Sequence, residues 1–464
     1  MGTPGREGGR RIVELSVGHT GDAMESDDVS TKQRRIAELA RIHPEVSFTS
    51  LAYHIDLRWL HEAYQRTRKD AAVGVDGQSA AEYAKELGGN LKSLLERAKS
   101  GMYRAPPVRR VHVPKGTGNE TRPIGIPSFE DKVLQRAVQM VLEPLYEQEF
   151  LDCSYGFRPG RSAHDALGAL WEGLMRMGGG WIIDLDIRKF FDTLDKNHLR
   201  EILKKRVCDG VLIRLIGKWL NAGVLEEGEI SYPERGTPQG GVISPMLSNI
   251  YLHEVLDKWF AAEVKPRMKG EAFLIRFADD AVLVFAQKED AERVMDVLPK
   301  RFGKYGLTVH PEKTRLVKFG KPPKRDEGTP EPPRWERFNF LGFTHYWGQS
   351  RRGAWVVKRK TEAGRFSRAL IKITEWCRRN RHRPLDDQQR MLSQKLNGHY
   401  AYYGITGNGR SLCAFLRRVQ AIWRKWLMRR SRGQYISLER FGLLLQRFPL
   451  PPAKVVHSCY VANL

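Results

Sequence analysis

Apolar residues recur at helical spacing in two early stretches: Leu57, Leu60, Ala63 and Tyr64 within 57–69, and Leu87, Leu91, Leu94 and Leu95 within 80–100. Steps of three and four place each set on one helix face. GVDG at 74–77 separates the two as a turn, and the polar, Gly-rich residues 1–45 predict a loose leader ending in a helix near 32–42. From Val108 the pattern becomes extended: VRRVHVP, the tip KGTGNETR, then PIGIP, which predicts a hairpin. A helix over 129–150 follows. GWIIDLD at 180–186 reads as a buried strand, 244–260 as a helix, and FLIRFADDAVLVF at 273–285 as two strands around a tight turn. Five prolines mark 320–335 as a loop or linker, and 361–379, 387–403 and 410–430 read as three long helices.

Composition narrows the class. Hydrophobic residues make up 41% of the 464, with 11 Trp, 15 Tyr and 19 Phe, which excludes wholesale disorder. No apolar run reaches the ~18–20 residues of a membrane span. The opening MGTPGREGGRR lacks the apolar core of a signal peptide, and Arg6 stands where myristoylation calls for Ser or Thr. Cys153, Cys208, Cys377, Cys413 and Cys459 form no CxxC pair, so a disulfide framework and the usual zinc knuckles are excluded. The expectation is a soluble, intracellular protein with no membrane partner.

Charge points to a partner. Against 54 Asp and Glu stand 78 Lys and Arg, a net of +24. Residues 351–432 hold 22 of the cations and four acids, Glu362, Glu375, Asp386 and Asp387, so three quarters of the excess sits in this one segment. Such a patch predicts a nucleic-acid partner.

Two groups of carboxylates lie in apolar strand contexts: Asp184 and Asp186 in IIDLDIRKFFD, and Asp279 and Asp280 in RFADD. A buried lone Asp usually pairs with an Arg or caps a turn, but two adjacent acids at a strand tip repel each other. A divalent cation relieves this, and two ions ~3.5–4 Å apart stabilise both oxygens of a phosphoryl transfer.

With the neighbouring motifs the chain resembles the reverse transcriptases encoded by bacterial group II introns, over roughly 48–432. GVDG at 74–77, RPIGIPSFEDKVLQRAV at 122–138 and SYGFRPGRSAHDAL at 154–167 resemble the fingers blocks. IDLDIRKFFD at 183–192 resembles motif A and RGTPQGGVISPMLSNIYL at 235–252 motif B. RFADD at 276–280, GLTVHPEKT at 306–314 and FNFLGF at 338–343 take the places of motif C, motif D and the primer grip, with Phe277 where the family commonly has Tyr. The resemblance implies an α+β right-hand polymerase, fingers and palm over 46–350 with an antiparallel sheet, then an all-helical, basic thumb or maturase X domain over 351–432. A tail over 433–464 is too short for an HNH endonuclease.

The resemblance further implies Asp186, Asp279 and Asp280 as catalytic ligands of two Mg²⁺ ions. It places Lys115, Arg122, Phe191, Gln239 and Lys313 around the incoming dNTP, the Phe191 ring excluding a 2′-OH. Phe340, Leu341 and Gly342 would grip the primer. Arg158 and Arg161 would touch template phosphates or brace the fingers, and Arg417, Arg418, Arg424 and Lys425 would track RNA. The implied partners are an RNA template, a DNA or RNA primer, dNTPs, group II intron RNA and target DNA, in the bacterial cytoplasm at the nucleoid. Two alternatives stand beside this reading: a splicing cofactor with a vestigial polymerase site, and a domesticated enzyme in phage defence or a CRISPR-associated role.

Overall fold

A computed structural model of the chain describes residues 12–13, 28–114, 121–226, 228–232, 240–322, 336–350, 352–430 and 435–458. The expected leader contributes strand β1 (Ile12–Val13) and helix α1 (Val29–Ile42), which buries Ile36 and Ala40. β1 pairs in parallel with β2 (Ser47–Phe48). Helix α2 (Leu57–Arg66) begins at Asp56, whose carboxylate accepts from the Trp59 amide at 2.8 Å. The stretch 80–100 is two helices, α3 (Ala80–Ala84) and α4 (Leu87–Ser100). Gly88 and Gly89 stand just past the joint, where their low helix propensity favours a break over one continuous rod.

The hairpin forms as β3 (Val108–Pro114) and β4 (Thr121–Ile126); its tip, including Lys115, lies outside the described residues. Helix α5 (Phe129–Tyr146) is buried on nearly every side and serves as the strut on which α1, α2 and α3 pack. Helix α6 (Ala163–Met177) opens on a Ser162–Asp165 capping box and closes at Gly178, in the left-handed region at φ 72°. Then come β5 (Gly179–Leu185), α7 (Phe190–Thr193), α8 (Lys196–Lys204), α9 (Gly210–Leu220), β6 (Val224–Glu226) and β7 (Glu229–Ser231). Strands β4-β3-β6-β7 make the first four-stranded sheet. The helix expected over 244–260 is regular only as α10 (Ser244–Leu252) and continues through π-turns at His253–Asp257 and Phe260–Val264.

Strands β8 (Ala272–Phe277) and β9 (Asp280–Phe285), helix α11 (Lys288–Gly303) and strand β10 (Arg315–Gly320) complete the second sheet, antiparallel in the order β10-β5-β9-β8. Alternation divides its residues between two cores. Ile183 and Leu283 enter the large core of the N-terminal half; Ile182, Val282 and Val284 enter a second one with Leu167 and Leu170 of α6. Most of the Pro-rich segment, 323–335, lies outside the described residues.

A third sheet, β11 (Phe338–Phe340), β12 (Phe343–Gln349) and β13 (Trp355–Thr361), corrects the expected boundary at 350/351. That point falls in the β12–β13 turn, where Gln349 pairs with Trp355, so the helical part begins only after Thr361. It comprises α12 (Ala363–Asn380), α13 (Leu385–Tyr403) and α14 (Gly409–Met428) around Leu392, Leu396, Phe415 and Trp423. The expected tail instead supplies a fourth helix, α15 (Leu438–Arg447), whose Phe441 ring meets Trp423 edge-on at 6.0 Å. Beyond it, the amides of Val456 and His457 donate to the Gly404 carbonyl at 2.7 and 2.8 Å. No described helix is long and apolar enough to cross a membrane.

Candidate active site

The acids meet at the ends of adjacent strands. In the β5–β9 ladder Asp184 faces Val282, and Asp186 stands one residue past the strand end. Asp280 opens β9 opposite Phe277, leaving Ala278 and Asp279 as a two-residue turn. Ala278 has φ +57°, the left-handed geometry that tight hairpin turns demand. Gly156 lies against this turn so closely that a Cβ there would stand 2.4 Å from the Ala278 nitrogen.

Beneath the turn lies Arg276, fully buried with every guanidinium nitrogen engaged. It reaches both Asp257 oxygens at 2.7 and 2.6 Å, Asn249 Oδ1 at 2.9 Å, Ser154 Oγ at 2.7 Å and the Ala278 carbonyl at 3.0 Å. One side chain thereby ties the acid-bearing turn to the SYGF loop, to α10 and to the π-turn beyond it. Sequence reasoning missed it; the signal available was a cation amid the apolar strand residues AFLIRF.

Asp186, Asp279 and Asp280 line one cavity of about 900 Å³, together with Arg122, Phe191, Lys313 and Arg365. Lys313 Nζ lies 3.9 Å from Asp186 Oδ2, and Arg315 Nε 3.2 Å from Asp184 Oδ2. Burial, then the charges of Asp184 and Asp279, push the Asp280 carboxyl up to about 7, opposed by the Leu341 amide, which donates to it. Burial also raises Asp184, against the pull of Arg315. Carboxylates crowded in this way suit a bound cation. Among the described residues no group of three or more His, Cys, Asp or Glu side chains is placed to hold a metal ion by itself. One or two carboxylates facing the cavity suffice for a divalent cation that keeps waters and completes its shell with substrate phosphates.

The β11–β12 turn, where the primer grip is expected, is joined to the same cavity. Leu341 and Gly342 both have positive φ, 49° and 76°, and Tyr402 Oη donates to the Leu341 carbonyl at 2.9 Å. Phe340 is buried in the second core. Asp280 and the end of α13 thus hold the two faces of one turn. Arg365, from the first turn of α12, was not anticipated in this cavity.

Other expected residues separate. Arg158 is buried: it pairs with Glu147 at 2.9 Å and donates to the Leu151 and Ser154 carbonyls at 2.8 and 2.9 Å. That is a brace, its guanidinium turned inward rather than toward a template phosphate. Arg161 pairs with the exposed Asp152 at 2.6 Å. Arg417, Arg418 and Lys425 are exposed on α14, whereas Arg424 is half-buried and donates to the Ile436 carbonyl at 2.9 Å. Gln239 lies outside the described residues.

A four-stranded antiparallel palm sheet, with acids at a strand end and on the neighbouring hairpin turn, defines a nucleotide polymerase of the right-hand class. The chain belongs to the reverse transcriptase (RNA-dependent DNA polymerase) family, whose profile matches residues 113–345. It is 32% identical over 328 residues to Protein YkfC of Escherichia coli, covering 62% of this chain and 84% of that one. Group II intron-encoded protein LtrA of Lactococcus lactis is 39% identical over 215 residues, 45% of this chain and about a third (34%) of LtrA. Nuclear intron maturase 4 of Arabidopsis thaliana is 32% identical over 146 residues, 31% of this chain and 18% of that protein. The protein is accordingly an RNA-directed DNA polymerase related to group II intron maturases.

Proposed function

We propose that the protein extends a primer 3′-OH with dNTPs on an RNA template, using two Mg²⁺ held by Asp186, Asp279 and Asp280, and that it binds its own group II intron RNA to assist splicing and mobility. The observation that carries this reading is the convergence of the three acids with Arg122, Phe191 and Lys313 on one cavity. Bound there, magnesium would supply Lewis-acid stabilisation of the attacking and leaving oxygens. The residues do the rest. Arg122 and Lys313 offset charge on the departing pyrophosphate. Phe191, half-buried at the cavity wall, stands under the sugar and selects against a 2′-OH. Lys115 and Gln239, outside the described residues, carry the nucleotide-binding roles that their motifs imply.

In this reading fingers and palm extend through the third sheet, which includes the primer grip, and the thumb begins with α12. The exposed cations of α14 track the RNA phosphates, and Arg161 borders the template. Target DNA is the further partner, and the cytoplasm, at the nucleoid, the place of action. The test is primer extension on poly(rA)/oligo(dT) with Mg²⁺. Asp279→Ala should abolish incorporation while RNA affinity stays within about three-fold, since deleting a metal ligand removes transition-state stabilisation and leaves the phosphate-binding cations intact. Undiminished synthesis by this variant would refute the site.

A further inference from the structure

Asp186 stands one residue past the end of β5, where strand pairing no longer holds the backbone: Arg315 opposite Asp184 is the last pair of the β5–β10 ladder. A side chain takes over there. Thr314 Oγ1 accepts from the Asp186 amide at 3.1 Å and donates to the Asp186 carbonyl at 3.2 Å. One hydroxyl can do both, having a single donor and two lone pairs. Thr314 is buried, 5% exposed, so water does not substitute for it.

The same segment encloses Asp186 from further sides. The His310 amide donates to the Asp186 carbonyl at 2.8 Å, and the Thr314 amide to the His310 carbonyl at 3.0 Å. Ile187 bridges Val309, and the Arg188 amide reaches the Thr308 carbonyl at 2.8 Å. Residues 308–314 therefore wrap the chain at Asp186, with Lys313 beside the carboxylate and Thr314 beneath the main chain. Without the hydroxyl, the N–H and C=O of the acid itself would each give up a hydrogen bond.

We infer that Thr314 is a positioning residue: its hydroxyl fixes the backbone of Asp186, so that the carboxylate and Lys313 are presented to the cavity as one unit. This rests on the reading of Asp186 as a metal ligand. Thr314→Val removes the hydroxyl at nearly constant volume, and Thr314→Ser retains it. Hydrogen exchange of the metal-free full chain reads the clamp directly. Amides over 186–188 should exchange about ten-fold faster in the Val variant and close to the parent rate in the Ser variant. Mn²⁺ binding, followed by electron paramagnetic resonance, should weaken about ten-fold with Val and less than about two-fold with Ser, the loss expected for one or two hydrogen bonds. Template–primer affinity should not move.

Parent-like exchange and Mn²⁺ affinity in Thr314→Val would overturn the inference, as would a Ser variant that behaves like Val. If the Val variant does not fold, Thr314→Cys, similar in size with only a weak S–H donor, carries the same comparison with Ser. Asp186→Asn separates the two levels. Unchanged Mn²⁺ binding in that variant would sink the ligand reading, while the exchange data would still decide the clamp.

Discussion

Arg276 shows how one residue can govern the turn that carries Asp279. Its fork satisfies Asp257, Asn249, Ser154 and the Ala278 carbonyl together. Arg276→Met leaves the buried Asp257 with only His253 Nδ1, 3.6 Å away, beside it, and we expect a loss of about 3–5 kcal/mol in denaturant unfolding. Adding Asp257→Leu should restore most of that stability, because the orphaned charge is gone. It should not restore primer extension, because the Ala278 carbonyl remains unheld. Recovery of activity along with stability would show that Arg276 serves the fold alone. The acids Asp186, Asp279 and Asp280 were legible in the sequence through their motifs, whereas Arg276 and Thr314 were not. Their partners are distant in the chain, and only strand pairing brings them within hydrogen-bond reach.

Among the elements, α14 and the third sheet invite opposite experiments. Arg417 and Arg418 both stand exposed on α14. Replacing both by Ala should lower RNA affinity and flatten its log–log salt dependence by about 0.7–0.9 for each phosphate no longer neutralised. An unaltered slope would remove this face from the RNA path. Arg424 differs, since it anchors the Ile436 carbonyl, and its removal should appear as loosening of α15. In the third sheet His345 is fully buried, its ring stacked on Phe338 at 4.8 Å with planes 9° apart. Burial and the neighbouring Arg359 push its imidazole down to about 3. The unfolded chain takes up that proton near pH 6.5 while the folded chain refuses it, so the stability is full above 6.5 and is lost as pH falls toward 3. His345→Phe should remove this contribution, up to about 1.4 kcal/mol per pH unit. Denaturant midpoints of parent and variant between about pH 7 and pH 4.5 check it; parallel curves would contradict it.

At the scale of the whole molecule, the site belongs to no single region. The cavity draws Arg122 from the first sheet, Asp186, Asp279 and Asp280 from the second, and Arg365 from the helical part. Leu341, between Asp280 and Tyr402, links the acid-lined cavity to the helical part through one turn. Periodicity located most of these elements, yet the boundary implied by the resemblance at 350 falls inside a hairpin, and the last segment, read as a tail, holds a helix. Both errors share a cause: short strands and a ten-residue helix carry weak patterns, and their stability comes from neighbours such as Trp423 rather than from local propensity.

The sequence by itself determined the basic, nucleic-acid-binding character, the succession of strands and long helices, and the identity of the acids. Composition, period and motif order are local properties that survive without coordinates. Tertiary structure alone decided that Arg158 braces rather than reaches out, that Arg276 and Thr314 hold the acid-bearing backbone, and that the Leu341–Gly342 turn answers to both Asp280 and Tyr402. Those outcomes depend on which buried donor finds which acceptor, and burial is settled only when distant segments pack.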